Sequence, residues 1–203
     1  MDAVITILLF VAFYQTRITN LRRAVRYVTL QSALLAAFCI VLAMYKNAGE
    51  HIYIAGILTF VVKVLIIPYG LFKLVDEINE NDRISTKKLN YSSIACVAAL
   101  ILSYQLSGPI DKQVVPASIF LIFTGLVIIV ARSQAIMQIV GLITVENGIY
   151  MLGVSITSGL PLIIELGIFL DVLIAVVVLV ILTKRMRLAV KTSDTSVLRK
   201  LRG

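Results

Sequence analysis

Residues 114–131 read VVPASIFLIFTGLVIIVA, and residues 134–157 read QAIMQIVGLITVENGIYMLGVSIT. A helix needs about 20 mostly apolar residues to cross the hydrocarbon core of a bilayer, and both stretches are close to that length. Both are therefore predicted to be transmembrane helices. The second carries an acidic residue, Glu146, near its centre.

Five more apolar runs occupy most of the remaining sequence. The chain of 203 residues is therefore predicted to be an all-α, polytopic membrane protein with seven transmembrane helices. We divide it into an N-terminal four-helix segment, residues 1–113, and a three-helix segment with a basic cytoplasmic tail, residues 114–203. The seven predicted spans are Ala3–Tyr14, Val28–Tyr45, Ile52–Phe72, Tyr91–Leu106, Val114–Ala131, Gln134–Thr157 and Leu160–Leu182.

The composition excludes several classes of protein. Hydrophobic residues make up 60% of the chain and charged residues 15%, whereas a soluble domain has about 45–50% and about 25%. One histidine and two isolated cysteines, Cys39 and Cys96, do not suffice for a disulfide framework or an iron–sulfur cluster. We expect no metal and no organic cofactor. With neither a nucleotide-binding loop nor a candidate nucleophile, the chain is not expected to be catalytic alone.

The net charge of +8 indicates how the chain is oriented in the membrane, because the basic residues flank the apolar runs. Sixteen of the nineteen lie in the first, third and fifth connections and the C-terminal tail, and two lie on the other side. By the positive-inside rule, the N-terminus is outside and the C-terminus is cytoplasmic. The first run has no basic residue before it, which fits a retained anchor rather than a signal peptide. The predicted location is the inner (cytoplasmic) membrane, and no nucleic-acid partner is expected, since no basic face is interleaved with aromatics.

Four ionisable residues lie inside the predicted spans: Lys63, Glu146, Glu165 and Asp171. Such residues are costly in a bilayer and often mark an ion pathway. Lys63, Glu146 and Asp171 fall near the centres of three different helices, hence near one depth. One lysine cannot neutralise two carboxylates, so one acid must be protonated or poised to exchange a proton. The alternative is a static ion pair of Lys63 with either Glu146 or Asp171.

Glu165 lies about two turns nearer the outer face than Asp171 and roughly 120° around the helix axis from it. It is either an entry or exit group or a residue solvated at the interface, and both interpretations stay open. Gly141 and Gly148 share a helix face and predict close approach of a neighbouring helix. Pro68 is predicted to distort the third helix beyond Lys63.

The three-helix segment resembles the K subunit of the complex I membrane arm and related subunits of cation/proton antiporters and membrane-bound hydrogenases. The matching residues are Arg132 before the sixth helix, Gly141-Leu142, Asn147, the acid Asp171 and a basic pair, Lys184-Arg185. There are two departures. Ile143 follows Gly141-Leu142 where the K subunit has its acid, and Asp171 replaces the usual glutamate.

The four additional helices and the run Val145-Glu146-Asn147-Gly148 make the whole chain more similar to the hydrogenase-4 component E family. That family contributes a K-like subunit to group 4 nickel–iron hydrogenases and formate hydrogenlyase-type complexes. The resemblance implies that Glu146 and Asp171 are midplane acids of a lateral proton path.

These observations predict a membrane subunit of a complex I-like or hydrogenase-4-like respiratory complex. It would help to translocate protons or sodium ions through Glu146, Asp171, Lys63 and Glu165. The implied partners are antiporter-like and other membrane subunits, a soluble hydrogenase or dehydrogenase arm, and the lipid bilayer. Two alternatives remain: a subunit of a multi-subunit sodium/proton antiporter, and a structural membrane spacer.

Overall fold

The structure is a computed structural model that describes residues 2–46, 56–78, 85–107 and 113–156, with the single positions 177 and 181. Within these residues there are helices and no β-strand, which confirms the all-α class for this part of the chain. The helices are α1 (Asp2–Gln15), α2 (Leu21–Lys46), α3 (residues 56–78), α4 (Thr86–Leu106), α5 (Val114–Ala131) and α6 (Ala135–Ile156).

Five of these helices, α2 to α6, are long and apolar enough to cross a membrane. The first helix is apolar but shorter, as its predicted run was. Their length and composition indicate a membrane-embedded protein. The predicted seventh span, 160–182, lies outside the described residues apart from positions 177 and 181. The total of seven spans and the location of the termini therefore stay predictions.

Two helices begin earlier than the apolar runs from which their spans were predicted. Helix α2 begins at Leu21 rather than Val28, and α4 begins at Thr86 rather than Tyr91. The start of α2 is fixed by Asn20, whose Oδ1 accepts a hydrogen bond from the backbone N–H of Arg23 over 3.0 Å, a typical N-cap contact. An apolar run ends at the first charged residues. The helix continues through these residues, which lie outside the hydrocarbon region.

Eight of the ten basic residues in the described ranges lie near one end of the bundle, which we call the basic end. Three contacts join the helices there. Arg17 of the α1–α2 connection donates to Ser93 of α4 over 3.0 Å, Arg22 of α2 pairs with Asp76 of α3, and Arg132 donates to the Thr16 carbonyl. The basic end thus contains the starts of α2, α4 and α6 and the last turns of α1, α3 and α5. The described basic residues near it are Arg17, Arg22, Arg23, Arg26, Lys73, Lys87, Lys88 and Arg132.

Helices α5 and α6 pack at close range through glycines. A Cβ atom added at Gly125 of α5 would lie 2.6 Å from the Gly141 carbonyl oxygen, and one added at Gly148 would lie 2.7 Å from the Ser118 carbonyl oxygen. Such distances are too short for any side chain, so the two backbones approach as closely as small residues allow. The packing face predicted from Gly141 and Gly148 is confirmed, and its neighbour is α5.

Candidate functional site

A layer of buried polar side chains lies between two apolar core clusters. One cluster contains Phe38, Phe120 and Tyr150, and the other, nearer the basic end, contains Val25 and Ile136. Between the clusters, α2, α3 and α6 each contribute polar residues that are at most 4% exposed. We call this the polar layer, and it consists of Gln31, Ser32, Lys63, Thr144, Glu146 and Asn147.

The helix lengths put this layer near the middle of the spans. Ser32 is the twelfth of 26 residues in α2, and Glu146 is the twelfth of 22 in α6. Both helices start at the basic end, so at 1.5 Å per residue both side chains lie about 16 Å from it. The common depth predicted for Lys63 and Glu146 is confirmed, because the two side chains are in contact.

A local change of helix geometry positions Lys63. Residues Phe60–Ile66 form a π-helical segment, in which the Ile67 N–H bonds to the Val62 carbonyl five residues earlier. Proline has no N–H, so Pro68 cannot donate to the carbonyl of Val64, the bond that an α-helix would need there. The distortion predicted at Pro68 therefore takes the form of a π-helical segment with Lys63 at its middle. Segments of this kind are rare and occur frequently at functional sites.

Lys63 forms a buried ion pair with Glu146. Lys63 Nζ lies 3.0 Å from Glu146 Oε1, and the two side chains are 1% and 4% exposed. The ammonium group also donates a hydrogen bond to Asn147 Oδ1 over 2.9 Å and lies 5.6 Å from the centre of the Tyr150 ring. A charge without such partners would be prohibitively costly in this environment, so each member of the pair stabilises the burial of the other.

Helix α2 completes the layer with two polar side chains. Asn147 Nδ2 donates to Ser32 Oγ over 3.2 Å. The Thr144 hydroxyl has one hydrogen, and its oxygen lies 2.9 Å from the Val140 carbonyl oxygen and 3.3 Å from Gln31 Oε1. Among the described residues, neither Glu146 Oε2 nor Gln31 Nε2 has a hydrogen-bond partner. Buried polar atoms are normally satisfied, by water where protein groups are absent. Gln31 Nε2 could therefore donate to a water molecule, and Glu146 Oε2 could accept from water or take up a proton.

The structure brings together two of the four predicted site residues, Lys63 and Glu146. Of the two partners left open for Lys63, Glu146 is in contact with it. Glu165 and Asp171 lie outside the described residues, so their positions stay predictions.

Gln31, Ser32 and Tyr150 were not predicted as members of the site. The signal for the first two is present in the sequence, since Gln31-Ser32 is a polar pair inside an otherwise apolar run. In the described ranges there is no group of three or more His, Cys, Asp and Glu residues that could hold a metal ion.

Together these features define a membrane-embedded helical protein with a buried, hydrogen-bonded ion pair at the middle of its spans. No known family profile matches the chain, and no solved structure is significantly similar to it. The chain is 32% identical, over 192 residues, to a Mycobacterium tuberculosis protein named "Uncharacterized protein Rv0085"; the match covers 90% of this chain and 87% of that relative. The chain therefore belongs to the same family as Rv0085.

Proposed function

We propose that this protein is a membrane subunit of a complex I-like or hydrogenase-4-like respiratory complex and helps to translocate protons or sodium ions. The observation that carries the proposal is the Lys63–Glu146 pair, 3.0 Å apart and buried between three helices. Ionisable residues inside a membrane span are costly and often mark an ion pathway. The π-helical segment around Lys63 adds a second feature that is common at functional sites.

In this proposal the protein has seven spans in the inner membrane, with its N-terminus outside and its C-terminus in the cytoplasm. Support comes from the charge distribution, because eight of the ten described basic residues lie at one end of the bundle. In a membrane protein, that end faces the cytoplasm by the positive-inside rule.

The proposed relay centres on one proton shared by Lys63 and Glu146. When the proton moves from Lys63 Nζ to Glu146 Oε1, the ammonium–carboxylate pair becomes an amine and a carboxylic acid. Neither group is then charged, and the carboxylic acid can pass its proton to a neighbouring acceptor while the Lys63 amine takes up the next proton of the path. Asp171 is the proposed next group along the layer, and Glu165 is the proposed exit toward the outer face. Glu146 Oε2 supplies a second oxygen through which the proton can leave.

The proposed partners are antiporter-like membrane subunits and a soluble hydrogenase or dehydrogenase arm, which would do the redox chemistry. This part follows from the resemblance to the K subunit and to hydrogenase-4 component E. Isolating the native complex and identifying its subunits by mass spectrometry tests it. We expect hydrogenase or dehydrogenase subunits in the preparation, whereas an antiporter would contain neither.

The relay is tested with Glu146→Gln in the native complex, reconstituted in liposomes that contain a pH-sensitive dye. Glutamine keeps the size of the side chain but cannot release a proton, so we expect translocation to fall at least tenfold. Asp76→Asn is the matched control, because Asp76 is 55% exposed at the basic end and outside the layer. Assembly is followed on native gels. A fully assembled Glu146→Gln complex that translocates at the normal rate contradicts the relay and favours a structural spacer.

A further inference from the structure

The groups around the Lys63 ammonium are those that proteins use to bind a cation. Glu146 Oε1 lies 3.0 Å away, Asn147 Oδ1 lies 2.9 Å away, and the ring centre of Tyr150 lies 5.6 Å away. Carboxylate and amide oxygens are ligands of hard metal cations, and an aromatic face attracts cations through its quadrupole. The arrangement therefore resembles a cation site, and a lysine ammonium occupies it.

The Asn147 amide makes a contact through each of its two polar atoms. Its Oδ1 accepts a hydrogen bond from the Lys63 ammonium, which can only donate, and its Nδ2 therefore faces Ser32 Oγ and donates to it over 3.2 Å. The Asn147 amide is therefore held between Ser32 of α2 and Lys63 of α3, with its oxygen facing the ammonium that occupies the site.

We infer that Lys63 is the specificity-determining residue of the proposed relay, and that it restricts the translocated ion to the proton and excludes sodium. The inference rests on the proposed function and deepens it. A sodium ion bound by Glu146 and Asn147 would lie within a few ångströms of the Lys63 ammonium. Two positive charges at that separation repel strongly in a water-poor interior. A proton meets no such barrier, because it moves along the existing contact between Nζ and Oε1.

This inference predicts that removing the ammonium creates sodium binding. In Lys63→Ala, the Glu146 carboxylate and Asn147 Oδ1 remain, and the lost side chain leaves space beside them. The carboxylate then has no counter-charge, so sodium binding should stabilise the folded state by mass action. We expect the melting temperature of this variant to rise by about 3–6 °C between 0 and 100 mM NaCl.

The experiment measures thermal unfolding of the purified full-length protein in NaCl against choline chloride at equal ionic strength, together with equilibrium binding of radioactive sodium. The wild-type protein should bind no sodium and show no difference between the two salts. The double variant Lys63→Ala/Glu146→Gln should lose the response gained by Lys63→Ala. Lys73→Ala is the matched control, since Lys73 is an exposed lysine of the same helix and its removal should create no response.

Two results would overturn the inference. One is saturable sodium binding by the wild-type protein that Glu146→Gln abolishes, which would make sodium a ligand of the intact site. The other is a folded Lys63→Ala variant that does not respond to sodium. If Lys63→Ala does not fold, the wild-type measurement still tests the inference, because saturable sodium binding there would overturn it. Because these readouts measure sodium binding to the isolated protein, they are distinguishable from failure of the proposed function, which is measured as translocation by the complex.

Discussion

Lys63 of α3 donates a hydrogen bond to Asn147 of α6 over 2.9 Å, and the same ammonium group lies 3.0 Å from the carboxylate of the preceding residue, Glu146. Asn147 in turn donates to Ser32 of α2. A single charged group thus connects three helices at one depth. It follows that the stability of the bundle and the proposed ion transfer depend on the same few atoms, and paired substitutions are needed to separate them.

The first prediction separates the charge of the pair from its packing. Glu146→Gln should destabilise the protein by about 3–5 kcal/mol, because it leaves the Lys63 ammonium buried without its counter-charge. The double variant Lys63→Met/Glu146→Leu should recover most of this loss, since apolar side chains of similar volume replace both charges. Free energies of unfolding measured by denaturant titration in micelles provide the test.

The double variant also distinguishes a relay from a spacer. If the pair serves only to hold the helices together, a stable double variant assembled into its complex should translocate ions normally. If Lys63 and Glu146 carry the proton, translocation should be lost although stability is restored. A double variant no more stable than Glu146→Gln alone would contradict the energetic coupling of the two residues.

The second prediction concerns the amide that connects Lys63 to α2. Asn147→Leu should cost about 1–3 kcal/mol, because it removes the acceptor for Lys63 and the donor to Ser32 from a buried site. Ser32→Ala should cost about 0.5–1.5 kcal/mol, since only one neutral hydrogen bond is lost. The same unfolding titrations compare the two variants. Equal losses of unfolding free energy would show that the Lys63–Asn147 hydrogen bond does not stabilise the protein.

The third prediction tests the contact between α5 and α6. Gly125→Ala should destabilise the protein by about 1–3 kcal/mol, because the added Cβ would lie 2.6 Å from a backbone oxygen of Gly141. Gly70→Ala in α3 is the control. Nothing lies within 4 Å of a Cβ added there, so alanine should be neutral or stabilise the helix by up to about 1 kcal/mol. Thermal unfolding measures both, and a similar response would contradict close packing at Gly125.

The sequence alone predicts the parts of this structure that depend on periodicity and charge. The apolar runs locate the described helices, and the glycines at 141 and 148 predict the close contact with a neighbour. Helix starts were less accurate, because the arginines at the beginning of α2 interrupt the apolar run without ending the helix. The capping contact of Asn20, rather than hydropathy, sets that start.

The partner of Lys63 could not be derived from the sequence in the same way. Depth along the helices left both Glu146 and Asp171 as candidates, because spacing within one helix does not determine which faces meet between helices. The π-helical segment at Phe60–Ile66 also has no clear sequence signature beyond Pro68, and it changes the direction in which Lys63 projects. Ser32 was missed because a serine inside an apolar run is common and becomes informative only when its neighbour is known.

The last prediction concerns Arg132, which the charge pattern assigned only to membrane orientation. Its side chain is 3% exposed and donates to the carbonyl of Thr16, just beyond the end of α1. Helix C-terminal carbonyls lack intrahelical donors, so a buried arginine can both satisfy such a group and complement the helix dipole. Arg132→Met should therefore cost about 1.5–3 kcal/mol. Arg22→Met, which breaks the ion pair with Asp76, should cost at most about 1 kcal/mol, because both side chains of that pair are more than half exposed. Unfolding titrations measure the loss of unfolding free energy in both variants. Equal losses would mean that Arg132 acts only on the orientation of the protein in the membrane.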